Sequence, residues 1–312
     1  MMTAFLFPGQ GSQRSGMGGD LYQAYAAARE VFDRADDVLG FALGEMAFGL
    51  DGRINSTEYT QPALYVHSLA VLAAWGDAAP VPDMVAGHSV GEFSALAAAG
   101  AIEMEDGLRL VRLRGQLMAE AGTVRPGGMA AVLGLDDDRV QALCIDVSTA
   151  HSLVVAANFN APGQVVVSGD SEAVHRLAER AKEAGSKRVI RLNVSGAFHS
   201  PLMADTCDEF ARAVRELAIR TPHCPVYLNV TAQATMDPKE IRTNMLRQLT
   251  SPVLWAQTLQ GLHADGASTF VEIGSGRVLS ALARRTLGRR TSTIVAEELI
   301  LAPVPDGTLR RK

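Results

Sequence analysis

The sequence predicts an α/β protein: a largely parallel sheet with helices, interrupted by a small β-α-β-β-α-β unit. Three observations predict it. Short apolar runs at Ala4 to Phe7 and Met84 to His88 each meet a glycine-bearing turn. The second passes at once into helix-forming residues from Gly91 to Ala99, and strand, sharp turn, helix is the order of a parallel sheet. The middle of the chain then changes rhythm and spells strand, helix, two strands, helix, strand, which is the ferredoxin-like arrangement.

Taken in order, Ala4 to Phe7 reads as a buried strand stopped by Pro8-Gly9. Gln61 to Trp75 reads as a long helix. Gly127 to Leu135 is a strand, Asp136 to Val147 a helix, Val154 to Ala157 and Val165 to Ser168 two strands, Ser171 to Ala184 a helix and Val189 to Val194 a strand. These place a small domain at 127–197, within a catalytic core formed by 1–126 and 198–312. Afterwards helix and strand alternate again: a helix from Pro201, a strand at Pro225 to Val230, helices near 238–265, a strand at Thr269 to Ile273 and a last helix from Arg277. The tail from Ala302 is rich in proline and charge and is expected to be loosely held.

Composition bounds the function. The chain has 312 residues, 47% hydrophobic and 20% charged, as in an ordinary globular enzyme. Its net charge is -5, without the basic excess of a nucleic-acid binder. Cys144, Cys207 and Cys224 form no CxxC pair, so neither a metal framework nor a disulfide pattern is expected, in keeping with a reducing cytoplasm. No apolar stretch approaches the ~20 residues that cross a bilayer, and the N-terminus has no basic region of a signal peptide.

Gly87-His88-Ser89-Val90-Gly91 matches G-x-S-x-G between a predicted strand and a predicted helix. The glycines permit a strained turn that exposes the serine hydroxyl. The amide of Val90 lies where free N–H groups of a helix start could face an oxyanion. A serine nucleophile needs a base. His88 adjoins the serine in sequence and is expected to pack rather than face it. His67 lies in a helix, and His151, His175, His223 and His263 sit in polar settings. His199, in Ser195-Gly196-Ala197-Phe198-His199-Ser200-Pro201, stands where a strand ends and a helix begins. There a helix N-terminus would keep its ring neutral. Strand ends on the carboxyl side share one crevice, so it could reach Ser89; the residue types alone leave that role open. No acidic third member follows: Asp205 and Asp208 read as surface residues.

Glu105, Arg109, Arg112, Gln116 and Glu120 recur every three or four positions and make one polar helix face. At about 100° per residue Arg114 points to the opposite side, among Leu110, Leu113 and Leu117. A buried guanidinium requires a partner. Two readings stand: a salt bridge to a structural carboxylate, or a fork for a substrate carboxylate. The glycines of Phe7-Pro8-Gly9-Gln10-Gly11-Ser12-Gln13 lack the spacing of a nucleotide loop, and Gly274-Ser275-Gly276 reads as a packed turn.

With these segments in hand, the chain resembles the malonyl-CoA:acyl carrier protein transacylases, both the stand-alone enzymes of fatty acid synthesis and the discrete, trans-acting acyltransferases of polyketide synthases. The resemblance runs to about Arg285. It rests on the Phe7 to Gln13 start, Gly87 to Glu92, Arg114-Gly115, Asn158-Phe159-Asn160-Ala161-Pro162-Gly163-Gln164, Gly196 to Ser200, and Gln248-Leu249-Thr250-Ser251-Pro252-Val253.

It implies an α/β-hydrolase-like core and malonyl transfer through an ester on Ser89, with His199 as base. Gln10 and the Val90 amide would form the oxyanion hole, and Arg114 would clamp the malonyl carboxylate. The Gln248 carbonyl would orient the histidine. Asn160 and His88 would lie near the substrate arm, and Phe198 would select malonyl over branched acyl groups. Coenzyme A thioester is then a substrate, no cofactor or metal is implied, and the partner is an acyl carrier protein, free or within a polyketide synthase. A monomer in the cytoplasm is expected. The 196–200 and 250–253 segments lean toward the polyketide type.

Lys182, Lys187, Arg188 and Arg191, or Arg284, Arg285, Arg289 and Arg290, would meet an acidic carrier, or would simply be solvated. The rival functions are an acyl-thioester hydrolase with the same serine and histidine, and a non-enzymatic scaffold with a relict site.

Overall fold

The computed structural model describes residues 2–49, 52–194 and 196–302. Ser195 and the tail beyond Ala302, expected to be loosely held, lie outside them.

The strands are β1 (Met2–Phe7), β2 (Met84–Gly87), β3 (Gly127–Leu133), β4 (Val154–Ala161), β5 (Gln164–Asp170), β6 (Arg188–Arg191), β7 (Val226–Tyr227), β8 (Ala234–Thr235), β9 (Ala267–Glu272) and β10 (Ser292–Val295). Among the described residues they form two sheets. The larger runs β10-β9-β1-β2-β7-β8. All its pairings are parallel except β7 with β8. Its central strands read Phe5-Leu6-Phe7 and Val85-Ala86, buried throughout, because helices cover both faces of a parallel sheet. Two apolar clusters lie on its opposite sides, one around Phe5, Phe7 and Val85, the other around Ala4, Leu6 and Ala86. This is the period-2 alternation of a strand.

The smaller sheet runs β4-β5-β3-β6 and is wholly antiparallel. With helices Asp137–Val147 and Ser171–Glu183 it reproduces the predicted β-α-β-β-α-β order. It has a core of its own, which includes Val132, Leu143, Val165 and Leu177. Arg285 fastens it to the larger unit, donating to the carbonyls of Pro162 and Gly163 and to Gln164 Oε1. That residue is therefore a structural tie rather than a free cation.

Several boundaries differ from expectation. The helix expected from Gln61 begins at Thr57, with Pro62 inside it. The expected strand Pro225 to Val230 shrinks to Val226–Tyr227, because the chain turns back through Asn229 to Ala232 to form β8. The strand expected over Val189 to Val194 is Arg188–Arg191.

Helices at Gly19–Ala24, Ala26–Leu39 and Leu43–Phe48, and a final β10 with helix Ala296–Leu301, carried no expectation. The last of these supplies Glu297, whose carboxylate meets buried His67 at 3.1 Å and Arg14 at 3.1 Å. Burial pushes the Glu297 carboxyl up, but His67 and Arg14 outweigh it and hold it below its ordinary value. No helix among the described residues is long and apolar enough to cross a membrane.

Candidate active site

Parallel strands end on one edge of the sheet, and three of those ends build the site. Gln10 follows β1, Ser89 follows β2, and Asn229 follows β7. The turn at Ser89 is tight enough to exclude side chains at its flanks. A Cβ on Gly87 would lie 1.9 Å from the carbonyl oxygen of Gly91, and one on Gly91 would lie 2.1 Å from that of Phe7. The second glycine thus lets the loop bearing Gln10 close against the start of helix Gly91–Ala98, where Val90 is the cap residue. Gln10 itself donates from Nε2 to Thr57 Oγ1 at 3.1 Å.

Ser89 sits at φ 53°, a left-handed conformation that costs a non-glycine residue about 1–2 kcal/mol. Asn229 supports it: Oδ1 accepts from the Ser89 main-chain N–H at 2.7 Å, and Nδ2 donates to the Gly87 carbonyl at 2.6 Å.

His199 approaches Ser89 as the motif required, with Nε2 at 2.8 Å from Oγ. The route differs from the expected one. β6 ends at Arg191 and belongs to the smaller sheet, so His199 is not at a strand end of the core. It lies on the connection that returns from that sheet, also at a positive φ of 56°. Its Nδ1 faces the carbonyls of Gln248 at 3.0 Å and Ser251 at 3.2 Å. Two main-chain oxygens thus stand where a carboxylate would in an acid-containing triad.

His199 is 4% exposed. Burial, then repulsion from Arg114, push its pKa down to about 3, against the pull of the Gln248 carbonyl. These causes, more than the helix N-terminus of the sequence argument, keep the ring neutral and able to accept a proton. A folded pKa below the ordinary 6.5 contributes stability that is present above 6.5 and lost as pH falls toward 3. Urea midpoints should therefore decline below pH 6.5, and His199→Gln should flatten part of that decline.

Arg114 is 1% exposed. Its donors go to neutral oxygens: Nη1 to Gln61 Oε1 at 2.7 Å, Nη2 to Gln248 Oε1 at 3.0 Å and to Ser89 Oγ at 3.1 Å. Its Nε is buried without a partner, and the guanidinium lies 5.6 Å from the centre of the Phe93 ring. Burial pushes its pKa down to about 10, with Glu92 opposing that through space, so it is charged at neutral pH. No carboxylate is paired with it among the described residues. The salt-bridge reading therefore fails, and the cation is held beside the Ser89 hydroxyl by neutral groups.

Toward the smaller sheet, His88 Nε2 meets Asn160 Oδ1 at 2.8 Å, and the His88 ring packs edge-on against Trp255, centres 5.4 Å apart. The smaller sheet thus touches the larger unit one residue from Ser89. Phe198 is buried next to Gly196. Gly274, read as part of a packed turn, lies against Pro8 and Ser68.

Sequence reasoning missed Gln61, Glu92 and Asn229 as members of the site. Glu92 stands out: wholly buried, its Oε2 accepts from the Asn229 N–H at 2.6 Å and its Oε1 from Gln248 Nε2 at 2.9 Å. No group of three or more metal-ligating side chains occurs among the described residues.

A serine hydroxyl hydrogen-bonded to a neutral histidine, a buried cation 3.1 Å from its oxygen and a strained elbow on a parallel sheet define the class: a serine acyl-transfer site. Comparison with known proteins agrees. Residues 4–304 match the family model of the acyl transferase domain. The malonyl CoA-acyl carrier protein transacylase of Bacillus subtilis (strain 168) is 42% identical over 296 residues, 95% of this chain and 93% of that protein.

Among solved structures, an acyl carrier protein S-malonyltransferase from Vibrio cholerae superposes with a TM-score of 0.90 at 39% identity, covering 95% of this chain and 96% of that one. A malonyl-transacylase in complex with its type II polyketide synthase acyl carrier protein superposes at 0.89 and 38% identity, covering 94% and 95%. The chain belongs to the acyl transferase domain family, among the malonyl-CoA:acyl carrier protein transacylases that its motifs resemble.

Proposed function

We propose that this chain is a malonyl-CoA:acyl carrier protein S-malonyltransferase that works by a ping-pong path through a malonyl ester on Ser89, supplying fatty acid or polyketide synthesis. The observation that carries the reading is Arg114: a buried guanidinium without a carboxylate partner among the described residues, its Nη2 3.1 Å from the Ser89 oxygen. An acyl group bound to that oxygen and ending in a carboxylate would meet a fork of N–H donors.

In this reading His199 Nε2 takes the Ser89 proton as Oγ bonds to the thioester carbon. The main-chain N–H groups of Gln10 and Val90 hold the oxyanion, a contribution typically of about 10²–10³ in rate. The carbon–sulfur bond breaks, and coenzyme A leaves with the proton from His199. The carrier thiol then attacks the ester by the reverse steps. The Gln248 and Ser251 carbonyls hold the imidazole tautomer. Asn160 and His88 line the approach of the thioester arm, Phe198 limits room for an α-branch, and no cofactor takes part. Residues 127–197 act as a small domain closing one side of the cleft. A hydrolase with the same pair would have no use for a buried cation that fixes the acyl tail away from water.

Brief exposure to malonyl-CoA should add one malonyl mass, mapped to the Ser89 peptide, and subsequent addition of holo-acyl carrier protein should move it to the carrier. An adduct that decays to free enzyme with an unloaded carrier would replace the transferase reading by the hydrolase one.

A further inference from the structure

Glu92 does not touch Ser89 Oγ, His199 or the space beside the nucleophile, yet it is 0% exposed in the middle of the site's support. Both its oxygens accept: Oε2 from the Asn229 main-chain N–H, Oε1 from Gln248 Nε2. Gln248 in turn donates from Nε2 to the Ser89 carbonyl at 3.2 Å and accepts at Oε1 from Arg114 Nη2. A carboxamide has one donor end and one acceptor end. Whatever fixes its flip decides whether Arg114 faces an acceptor or a donor.

We infer that Glu92 is a positioning residue for acyl selectivity: by accepting from Gln248 Nε2 it turns Gln248 Oε1 toward Arg114 and so aims the guanidinium at the acyl group on Ser89. The inference rests on the proposed malonyl reading. Its logic lies in which partners can turn. The Asn229 N–H belongs to the main chain and cannot. A glutamine at 92 must keep its oxygen toward that N–H, so its NH2 faces the NH2 of Gln248. Gln248, whose Nε2 sits closer to Glu92 than to the Ser89 carbonyl, relieves this by turning over, which gives up its bond to that carbonyl and sets its NH2 against Arg114. One neutral isostere, two hydrogen bonds away from the cation, thereby removes the acceptor that holds Nη2. Burial pushes Glu92 up to about 7, and the Asn229 N–H, Gln248 and Arg114 oppose that by favouring the carboxylate.

The test measures Ser89 loading from malonyl-CoA and acetyl-CoA by wild type, Glu92→Gln, Arg114→Ala and the double variant. Glu92→Gln should lower the malonyl:acetyl ratio of kcat/KM by about 10- to 100-fold, the worth of one hydrogen bond to a charged group, whatever it does to the acetyl rate itself. In the Arg114→Ala background the same substitution should leave the ratio where Arg114→Ala put it, because the relay ends at that side chain.

Equal loss on both substrates, no change, or a further fall of the ratio in the double variant would each overturn the inference. If Glu92→Gln is not recovered folded, Gln248→Met interrupts the same relay while leaving the main-chain carbonyl on His199. An undiminished ratio there would equally overturn it. Should wild type fail to load malonyl, or Arg114→Ala keep the ratio, the malonyl reading itself falls instead.

Discussion

Replacing His199 with alanine is expected to slow malonylation of Ser89 by about 10²–10⁴-fold, the range for loss of a positioned general base. The hydroxyl remains in its turn, since Asn229 and the flanking glycines hold it there without help from the ring. The main-chain N–H groups also remain, so some acylation persists. What is lost is the acceptor 2.8 Å from Oγ. With the ring gone, Arg114 Nη2 is still a donor to the hydroxyl oxygen and cannot take a proton. Rapid-quench mass spectrometry of the acyl-enzyme measures the rate directly. A variant that acylates within a few-fold of wild type would mean that His199 is not the base. The same assay on transfer to the carrier should show a comparable loss, the result expected of one base shared by both half-reactions.

How much of this site a sequence can announce depends on how local its geometry is. Ser89 was legible because the elbow is built within five residues, and its glycines answer steric limits set by the turn itself. Arg114 was legible as a misfit, a cation on an apolar helix face, although periodicity alone could not choose between a salt bridge and a ligand. His199 was reached by the right motif through a wrong picture of its strand.

The Gln248 carbonyl is a main-chain group, which no residue type signals; only the family resemblance pointed to it. Glu92 and Asn229 were hidden differently. Glu92 entered only as the last residue of the Gly87 to Glu92 motif, with no role of its own, and Asn229 lay inside a stretch expected to be strand. Their contact spans 137 positions and exists only because β7 pairs beside β2. The closing β10 and its helix were missed for a simpler reason: Ser292–Val295 and Ala296–Leu301 are short, and the charge of Glu297 masks its burial against His67 and Arg14.

The second large effect concerns the cation. Arg114→Ala is expected to lower kcat/KM for malonyl loading by about 10²–10³-fold, equivalent to the loss of charge-assisted bonds worth about 1.5–3 kcal/mol each. Acetyl loading should be held or improved. The substitution removes a buried charge whose desolvation is costly whenever no anion accompanies it, so a neutral acyl group loses no partner and gains space. Gln61 Oε1 and Gln248 Oε1, left without their donor, can be met by water in the vacated volume, which limits the cost to folding.

Arg114→Lys separates charge from shape. It keeps a positive group but not the planar fork, so it should recover only part of the malonyl rate. Parallel loss on malonyl and acetyl would show that Arg114 serves the fold or the serine rather than the acyl tail. A loss confined to malonyl, with Lys intermediate, is the outcome that a carboxylate clamp requires. It also bears on water, because a malonyl ester released from its clamp should hydrolyse faster relative to transfer. In Arg114→Ala the fraction of any malonyl adduct that reaches the carrier should therefore fall as well as its rate of formation.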